Sequence, residues 1–385
     1  MRFLCVSDFV AEQNSGAAGS ILAIGDALSR RGHDVDFLWK NAQPYYLPHA
    51  SLSRLFELPR HQYRQVADQL EKAPYDVVVI SQPYAYLAYE KLRSRYPGTL
   101  FLNRSHGWEH RYTVSRSQFH WDDDAAASAP RRFGARISRE LLRRACLRTL
   151  RASDGVLVAS RLCARFIEGT GVIPPGRLAV IPHGLDEVFL SRTSLPRTGR
   201  GTRMLFVGNY LARKGSVVLE SILPSLARAY PDATMTFVVN PQAVDSIASH
   251  FAPAFGDRLT VLTWRDRSVL PAIYAAHDIT LFPSLFEGFG KVFLEAMACG
   301  ACVVGFDQGA LPDVAVSGQD ALFCKTGDRA SFRALLERCL KDAALPQAIG
   351  RRAQNTARQY SWDRTAEQTE AFCEQLLGDR GRSAR

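Results

Sequence analysis

The feature that most restricts this chain is an alternation of short apolar segments with helical ones, run through twice. In the first run FLCVSD (3–8) reads as a strand, followed by the small-residue loop SGAAGS. A helix over about 21–31 then stops at Gly32 before a second strand, DVDFLW. DVVVIS (76–81), TLFLNRSHG (99–107), GVLVAS (155–160) and LAVIPHG (178–184) continue the series, and the short apolar runs suit buried parallel strands. A polar stretch rich in Arg, Gly and Pro, SRTSLPRTGRG (191–201), breaks the pattern and reads as an interdomain linker. The second run follows it: RMLFVGNY, a helix from Ser216, TMTFVVN, RLTVLTW, a helix over about 269–276, DITLFPS, a helix after Gly290, and ACVVGF. Parallel strands need crossover helices, so two such runs predict two doubly wound α/β domains. In sheets of this kind ligands bind outside the carboxyl ends of the strands, and a cleft between two facing domains is the expected site.

The length of 385 residues agrees, being too great for one ordinary core. No run of 18 or more apolar residues is present, and MRFLCVSDF is expected to begin directly as a strand without a signal peptide. The eight cysteines are scattered, mostly in apolar segments, as expected of reduced, buried thiols in a cytoplasmic protein. Cys299 and Cys302 form a CxxC, but no second pair stands at zinc spacing. They are expected to line a helix end beside Gly300. The formal charge of +10 carries no recognisable nucleic-acid module with it. It is concentrated in RRFGARISRELLRRACLRTLR (131–151), a basic amphipathic helix by its spacing. That helix either packs on its own domain with a solvated arginine face, or meets an anionic lipid surface or a phosphorylated acceptor.

Glu287 and Glu295 bracket a Gly-Phe-Gly turn at the head of an apolar helix, in EGFGKVFLEAMACG. Exposed backbone N–H groups and the positive end of the helix suit a phosphate there. A carboxylate on each side would be repelled by the phosphate, and makes sense if each grips neutral hydroxyls, as a nucleotide sugar would present at its two ends. The alternative is a surface ion pair of Glu295 with Lys291 at i,i+4. The helix around Glu295 is apolar nearly all round, however, and a buried glutamate needs a partner. Upstream, FVGNYLARKGSVVLE sets Arg213 and Lys214 between a strand and a helix, where a guanidinium fork and an ammonium can clamp a diphosphate.

FVGNYLARKG, FPSLFEGFGKVFLEAMACG and VIPHGLDEVF (180–189) together resemble the group-1, or family 4, retaining glycosyltransferases. SHGWEHR (105–111) resembles the family's His-Gly segment. YSWD (360–363) resembles the segment that opens its last helix, which crosses back to the first domain. The resemblance implies a GT-B fold with two Rossmann-like domains facing a central cleft. The acceptor domain would span 1–190 with the helix 361–378, and the donor domain 195–358. It further implies that Glu295 binds ribose hydroxyls and Glu287 those of the transferred sugar. Gly288, Phe289, Gly290 and Lys291 would hold sugar and phosphate through their amides. Arg213 and Lys214 would neutralise the departing diphosphate. Gly16 would let the first domain's loop approach the phosphates, and His106 would sit near the sugar, with Glu109 and His110 as candidates for acceptor contact. Base contacts are expected near 264–267. No metal ion and no cofactor beside the nucleotide diphosphate sugar is expected, since no metal-ligand cluster such as DxD at a strand end is evident. Asp122 and Asp124 are expected to face solvent. The family pattern is departed from at Asn209, Cys302 and Asp313. The implied activity is retaining transfer of a hexose-type sugar, and the basic helix at 131–151 points to a glycan, lipid-linked or phosphorylated, as acceptor, as in envelope polysaccharide or lipopolysaccharide assembly. The expected place is the cytoplasm or its membrane face. A soluble acceptor, or a non-catalytic sugar-nucleotide-binding protein, are the alternatives.

Overall fold

The computed structural model describes residues 1–11, 16–39, 47, 50–81, 83–107, 109–119, 129–190 and 202–383. By its contacts the chain divides into two units, Met1–Gly184 with Trp362–Arg385, and Leu185–Ser361. The expected linker at 191–201 lies outside the described residues, as do Asp122 and Asp124.

In the first unit six parallel strands stand in the order β2-β1-β3-β4-β5-β6: β1 (Arg2–Ser7), β2 (Asp34–Leu38), β3 (Val77–Ser81), β4 (Leu100–Ser105), β5 (Gly155–Val158) and β6 (Leu178–Val180). Alternation of side chains assigns the two faces. Phe3, Val77, Val79, Leu100 and Leu102 pack with Ile24 and Leu28 of the helix Gly16–Arg30 and with Ala366 and Phe372 of the helix Trp362–Ser383. Leu4, Val78, Ile80 and Phe101 pack on the opposite face, against Val66 and Leu70 of the helix Leu58–Lys72 and Tyr89 and Leu92 of the helix Tyr86–Arg95. A strand such as VVVIS is therefore apolar at every position because helices cover both sides. Each large aliphatic or aromatic side chain buried in this way contributes roughly 1.5–3 kcal/mol.

In the second unit the order is β12-β11-β10-β7-β8-β9, again all parallel: β7 (Arg203–Val207), β8 (Thr234–Val239), β9 (Leu259–Thr263), β10 (Ile279–Phe282), β11 (Cys302–Phe306) and β12 (Leu322–Cys324). The strand order reverses between β1 and β3 in one sheet and between β7 and β10 in the other. Those two points are where doubly wound sheets open a crevice at the carboxyl ends of their strands.

Two expectations are corrected. The first helix begins at Gly16, so the segment read as the loop SGAAGS is helical from Gly16 onward, with the Ser20 hydroxyl donating to the Gly16 carbonyl at 2.6 Å. The last helix, expected over 361–378, runs on to Ser383, and Arg380 within the added turn donates to the carbonyls of Pro97 and Thr99 and pairs with Asp154. That helix is held at its other end by Arg30 to Asp363 at 2.6 Å and by Arg31 and His33 to Glu370. The CxxC cysteines are free thiols, Cys299 closing the helix Lys291–Ala298 and Cys302 opening β11.

Candidate active site

In the second unit the reversal point is built from two loops locked together through their backbones. After β7 and Gly208 the chain makes a tight turn, Ala212–Lys214, and enters the helix Ser216–Ala229 through Gly215. After β10 it runs through 283–290 into the helix Lys291–Ala298. The Arg213 carbonyl accepts from the Leu285 amide at 2.8 Å. Gly215 has a φ of 86°, and a Cβ there would stand 2.2 Å from the Pro283 carbonyl oxygen, so only glycine permits this approach.

The lock brings the predicted residues to one place. The Lys214 ammonium donates to Oε1 of Glu287, and the Ser284 hydroxyl donates to the same oxygen at 2.8 Å. Glu287 is 7% exposed. Beside Lys214, the Arg213 guanidinium has no hydrogen bond or ion pair among the described residues. Gly290 adopts a φ of 97° at the head of the helix. A Cβ there would stand 2.7 Å from the Phe282 ring. Gly288, Phe289 and Gly290 are buried, and the Phe289 ring packs on Phe293 at 5.6 Å. A point-charge cation thus stands on a buried carboxylate, with a fork cation next to it in the chain and the positive end of a helix three residues beyond the carboxylate, an arrangement that can take a diphosphate and hydroxyls side by side.

Glu295 is 3% exposed and both its oxygens are engaged. Arg267 Nη2 lies 2.8 Å from Oε1, and the Tyr274 hydroxyl donates to Oε2 at 3.1 Å. Arg267 also pairs with Asp186, Nε to Oδ2 at 2.8 Å, and its guanidinium lies over the Phe189 ring. Burial works against the charge on Arg267, but Glu295 and Asp186 together outweigh it and hold the guanidinium more firmly protonated than usual. Burial, then the charge of Glu295, pushes the Tyr274 phenol well up, so it remains a donor. Neither Tyr274, Ser284 nor Asp186 was marked by sequence. Their spacings of 21, 3 and 81 residues from the groups they serve have no local signature except the Ser-x-x-Glu pairing. Arg267 was marked only as a neighbour of the base. Lys291, the alternative partner for Glu295, is half-buried at the first position of the helix.

In the first unit the reversal point holds a cavity of about 320 Å³, lined by residues at and beyond the ends of β1, β3 and β4, among them Asp8, Ser81, Tyr84, Asn103 and His106. His106 is half-buried with its Nε2 withdrawn from solvent, its ring meets Phe9 edge-on at 6.0 Å, and that Nε2 has no hydrogen-bond partner among the described residues. Burial, and then the charge of Arg104, pushes its pKa down to about 3, so the ring is neutral and acts as a hydrogen-bonding group rather than a cation. Gly16 opens its helix with no atom within 4 Å of where a Cβ would stand. His110 packs its ring on Phe166 at 6.0 Å, while the side chain of Glu109 lies outside the described residues.

Comparisons with known proteins bear on the fold and the family. Residues 14–189 match the model for Glycosyltransferase Family 4, and residues 201–342 that for Glycosyl transferases group 1. The D-inositol 3-phosphate glycosyltransferase of Corynebacterium glutamicum (strain R) is 30% identical over 211 residues, covering 50% of each chain. The match thus spans about half the length of that relative. Among solved structures, the sucrose-phosphate synthase of Thermosynechococcus elongatus superposes with a TM-score of 0.77 at 19% identity, covering 98% of this chain and 100% of that one. Anabaena Alr3699/HepE in complex with UDP-glucose gives 0.68 at 17% identity, covering 96% and 98%. The chain has the GT-B fold and belongs to the family 4, or group-1, glycosyltransferases.

Proposed function

We propose that this protein transfers a hexose-type sugar from a nucleotide diphosphate sugar to a hydroxyl of an acceptor, retaining the anomeric configuration and without a metal ion. The observation that carries the proposal is the Lys214–Glu287 pair at the β7/β10 reversal point, with Arg213 beside it and the Gly290 turn at the helix head. As the bond from the anomeric carbon to the diphosphate breaks, negative charge grows on the leaving oxygens. Arg213, Lys214 and the helix end offset it without reorganising. Glu287 holds hydroxyls of the sugar next to those cations. Glu295, fixed by Arg267 and Tyr274, accepts the ribose hydroxyls on its remaining lone pairs. Amides of residues 288–291 hold sugar and phosphate. Gly16 and His106 are assigned their donor-side roles by the family pattern, His106 as a neutral hydrogen-bonding group.

The acceptor we propose is a glycan or lipid-linked glycan, in envelope polysaccharide or lipopolysaccharide assembly, with the protein working in the cytoplasm at the membrane face. Supporting this, the helix Ala129–Ala152 exposes Phe133, Ile137 and Leu141, spaced four apart on one stripe, beside the exposed Arg136 and Arg144. An apolar stripe fringed by arginines suits an anionic bilayer surface. No described helix is long and apolar enough to cross a membrane. The name of the Corynebacterium relative favours a second reading, a small soluble acceptor.

Nucleotide release from a panel of UDP, GDP, ADP and CMP sugars tests the reaction. Slow release from one donor, lost in Glu287→Ala, is expected. Tight donor binding with no turnover across a broad acceptor panel would make the protein a binder and not an enzyme. For the acceptor, co-sedimentation with anionic vesicles at low salt, lost on Ile137→Asp, is expected. No recruitment of the wild type would leave the soluble acceptor.

A further inference from the structure

Arg104, on β4, is 8% exposed, and among the described residues no hydrogen bond and no ion pair reaches its guanidinium. Alternation along the strand puts its side chain on the face of Leu100 and Leu102, which the helices Gly16–Arg30 and Trp362–Ser383 cover. Cys5 stands on the same face, its thiol pushed up to about 12 by burial and drawn back only in part by the charge of Arg104. Between those helices and the sheet lies a cavity of about 10 Å³, room for one water-sized sphere and no more. Ile24, Leu157 and Ile181 of that face's apolar cluster wall it, and Arg104, Thr365 and Thr369 bring polar groups to it. No carboxylate is among the described residues that line it. The Thr365 hydroxyl donates to the Pro182 carbonyl at 2.9 Å, and the Thr369 hydroxyl to the Thr365 carbonyl at 2.8 Å. In a helix that last carbonyl already receives a backbone N–H, so the Thr369 proton can turn to another acceptor without loss of the helical bond.

We infer that this cavity binds one monatomic anion, a halide such as chloride, held by the Arg104 guanidinium and the Thr369 hydroxyl against the inner side of the last helix. A guanidinium taken out of water without a counter-charge is costly, and a neutral water would complete its hydrogen bonds while leaving the charge unanswered. An anion answers it, and does so strongly where the surroundings are apolar. Burial pulls Arg104 down to about 10, so the side chain is still a cation at neutral pH. Size decides the chemical class. Space for a single sphere excludes phosphate, sulfate and any molecule that carries a carboxylate. Thr365 and Thr369 belong to the last helix and Arg104 to the sheet, so the anion acts as a pin between the two. Its role is to hold residues 362–383 on the first unit's sheet.

Melting of the full chain, followed while sodium chloride replaces sodium gluconate at constant ionic strength, tests the inference. Gluconate is too large for the cavity and serves as the blank. Between about 1 and about 200 mM chloride the melting temperature is expected to rise by about 2 °C or more, since a ligand of the native state alone stabilises it. The rise is expected to vanish in Arg104→Met. Equal curves in chloride and gluconate would overturn the inference and leave the cavity to a water, and a rise that persists in Arg104→Met would overturn it as well. Chloride can also settle on Arg213, so Arg213→Gln is run in parallel. A rise lost in that variant and kept in Arg104→Met would assign the anion to the second unit. Should Arg104→Met fail to fold, Thr369→Val keeps the shape and removes the hydroxyl. It is expected to raise the chloride concentration at half effect severalfold, and an unchanged value would overturn the inference. Crystals grown in bromide give the direct view: anomalous density beside the Arg104 guanidinium is expected, and density only elsewhere would overturn the site.

Discussion

Arg267 and Glu295 are 2.8 Å apart in a buried ion pair, and Arg267 reaches past Glu295 to Asp186 on its other side. A carboxylate held by a guanidinium on one oxygen and a phenol on the other is fixed in one rotamer before any ligand arrives. Preorganisation of this kind lowers the ordering cost of binding.

Glu295→Gln keeps the shape and removes the charge. Binding of the cognate nucleoside diphosphate, followed by calorimetry, should weaken about tenfold or more, since a charged acceptor of hydroxyls becomes a neutral one. Glu295→Ala should in addition lower the unfolding free energy by roughly 2–4 kcal/mol in urea, because Arg267 and Tyr274 lose a buried partner. Unchanged binding in both variants would remove Glu295 from the ribose.

Glu287→Ala should behave differently. With Lys214 and Arg213 still present, nucleoside diphosphate binding should change little, whereas donor turnover should fall by a factor of about 100 or more. Parallel measurement of affinity and nucleotide release decides it, and a loss confined to affinity would contradict the assignment.

Gly215→Ala places a methyl against the Pro283 carbonyl in a left-handed backbone conformation. The variant should lose roughly 1–3 kcal/mol of stability, read from its melting temperature. Turnover should fall with it, since the same turn carries Arg213 and Lys214.

His106 supplies a prediction in pH. Its folded pKa of about 3 lies below the ordinary 6.5, so the unfolded chain binds a proton that the folded one refuses. Stability is therefore whole above about pH 6.5 and declines as pH falls toward 3, by about 1.4 kcal/mol per unit. Between neutrality and about pH 4.5, His106→Asn should lose roughly 2–3 kcal/mol less than the wild type. Parallel stability curves for the two would show that the ring is not held neutral.

Sequence alone carried most of the fold, because a fully buried parallel strand must be apolar throughout and its crossover helix must be periodic. The short β12, of three residues, has too little pattern to register. The helix starting at Gly16 was hidden by its own small residues, which look like a loop until Ala18 and Ile21 are seen buried. At the site, Glu287, Glu295, Arg213 and Lys214 were legible because they sit in contiguous segments around turns. Tyr274 and Asp186 were not, and Arg267 was marked only as a neighbour of the base, since each reaches Glu295 or its partner only through the folded chain.

The helix Trp362–Ser383 has a consequence for the order in which the chain acquires structure. Ala366, Phe372, Cys373 and Leu376 complete the same cluster as Phe3 and Leu28, so one face of the first sheet, which the helix Gly16–Arg30 covers only in part, stays incompletely covered until residues 362–383 have been made. The second unit ends at Ser361 and needs nothing synthesised after it. Domains usually mature from the N-terminus as they emerge. Here the ribosome would release a finished second unit ahead of an unfinished first one, and residues 1–184 would wait with part of an apolar face uncovered, a target for chaperones during translation.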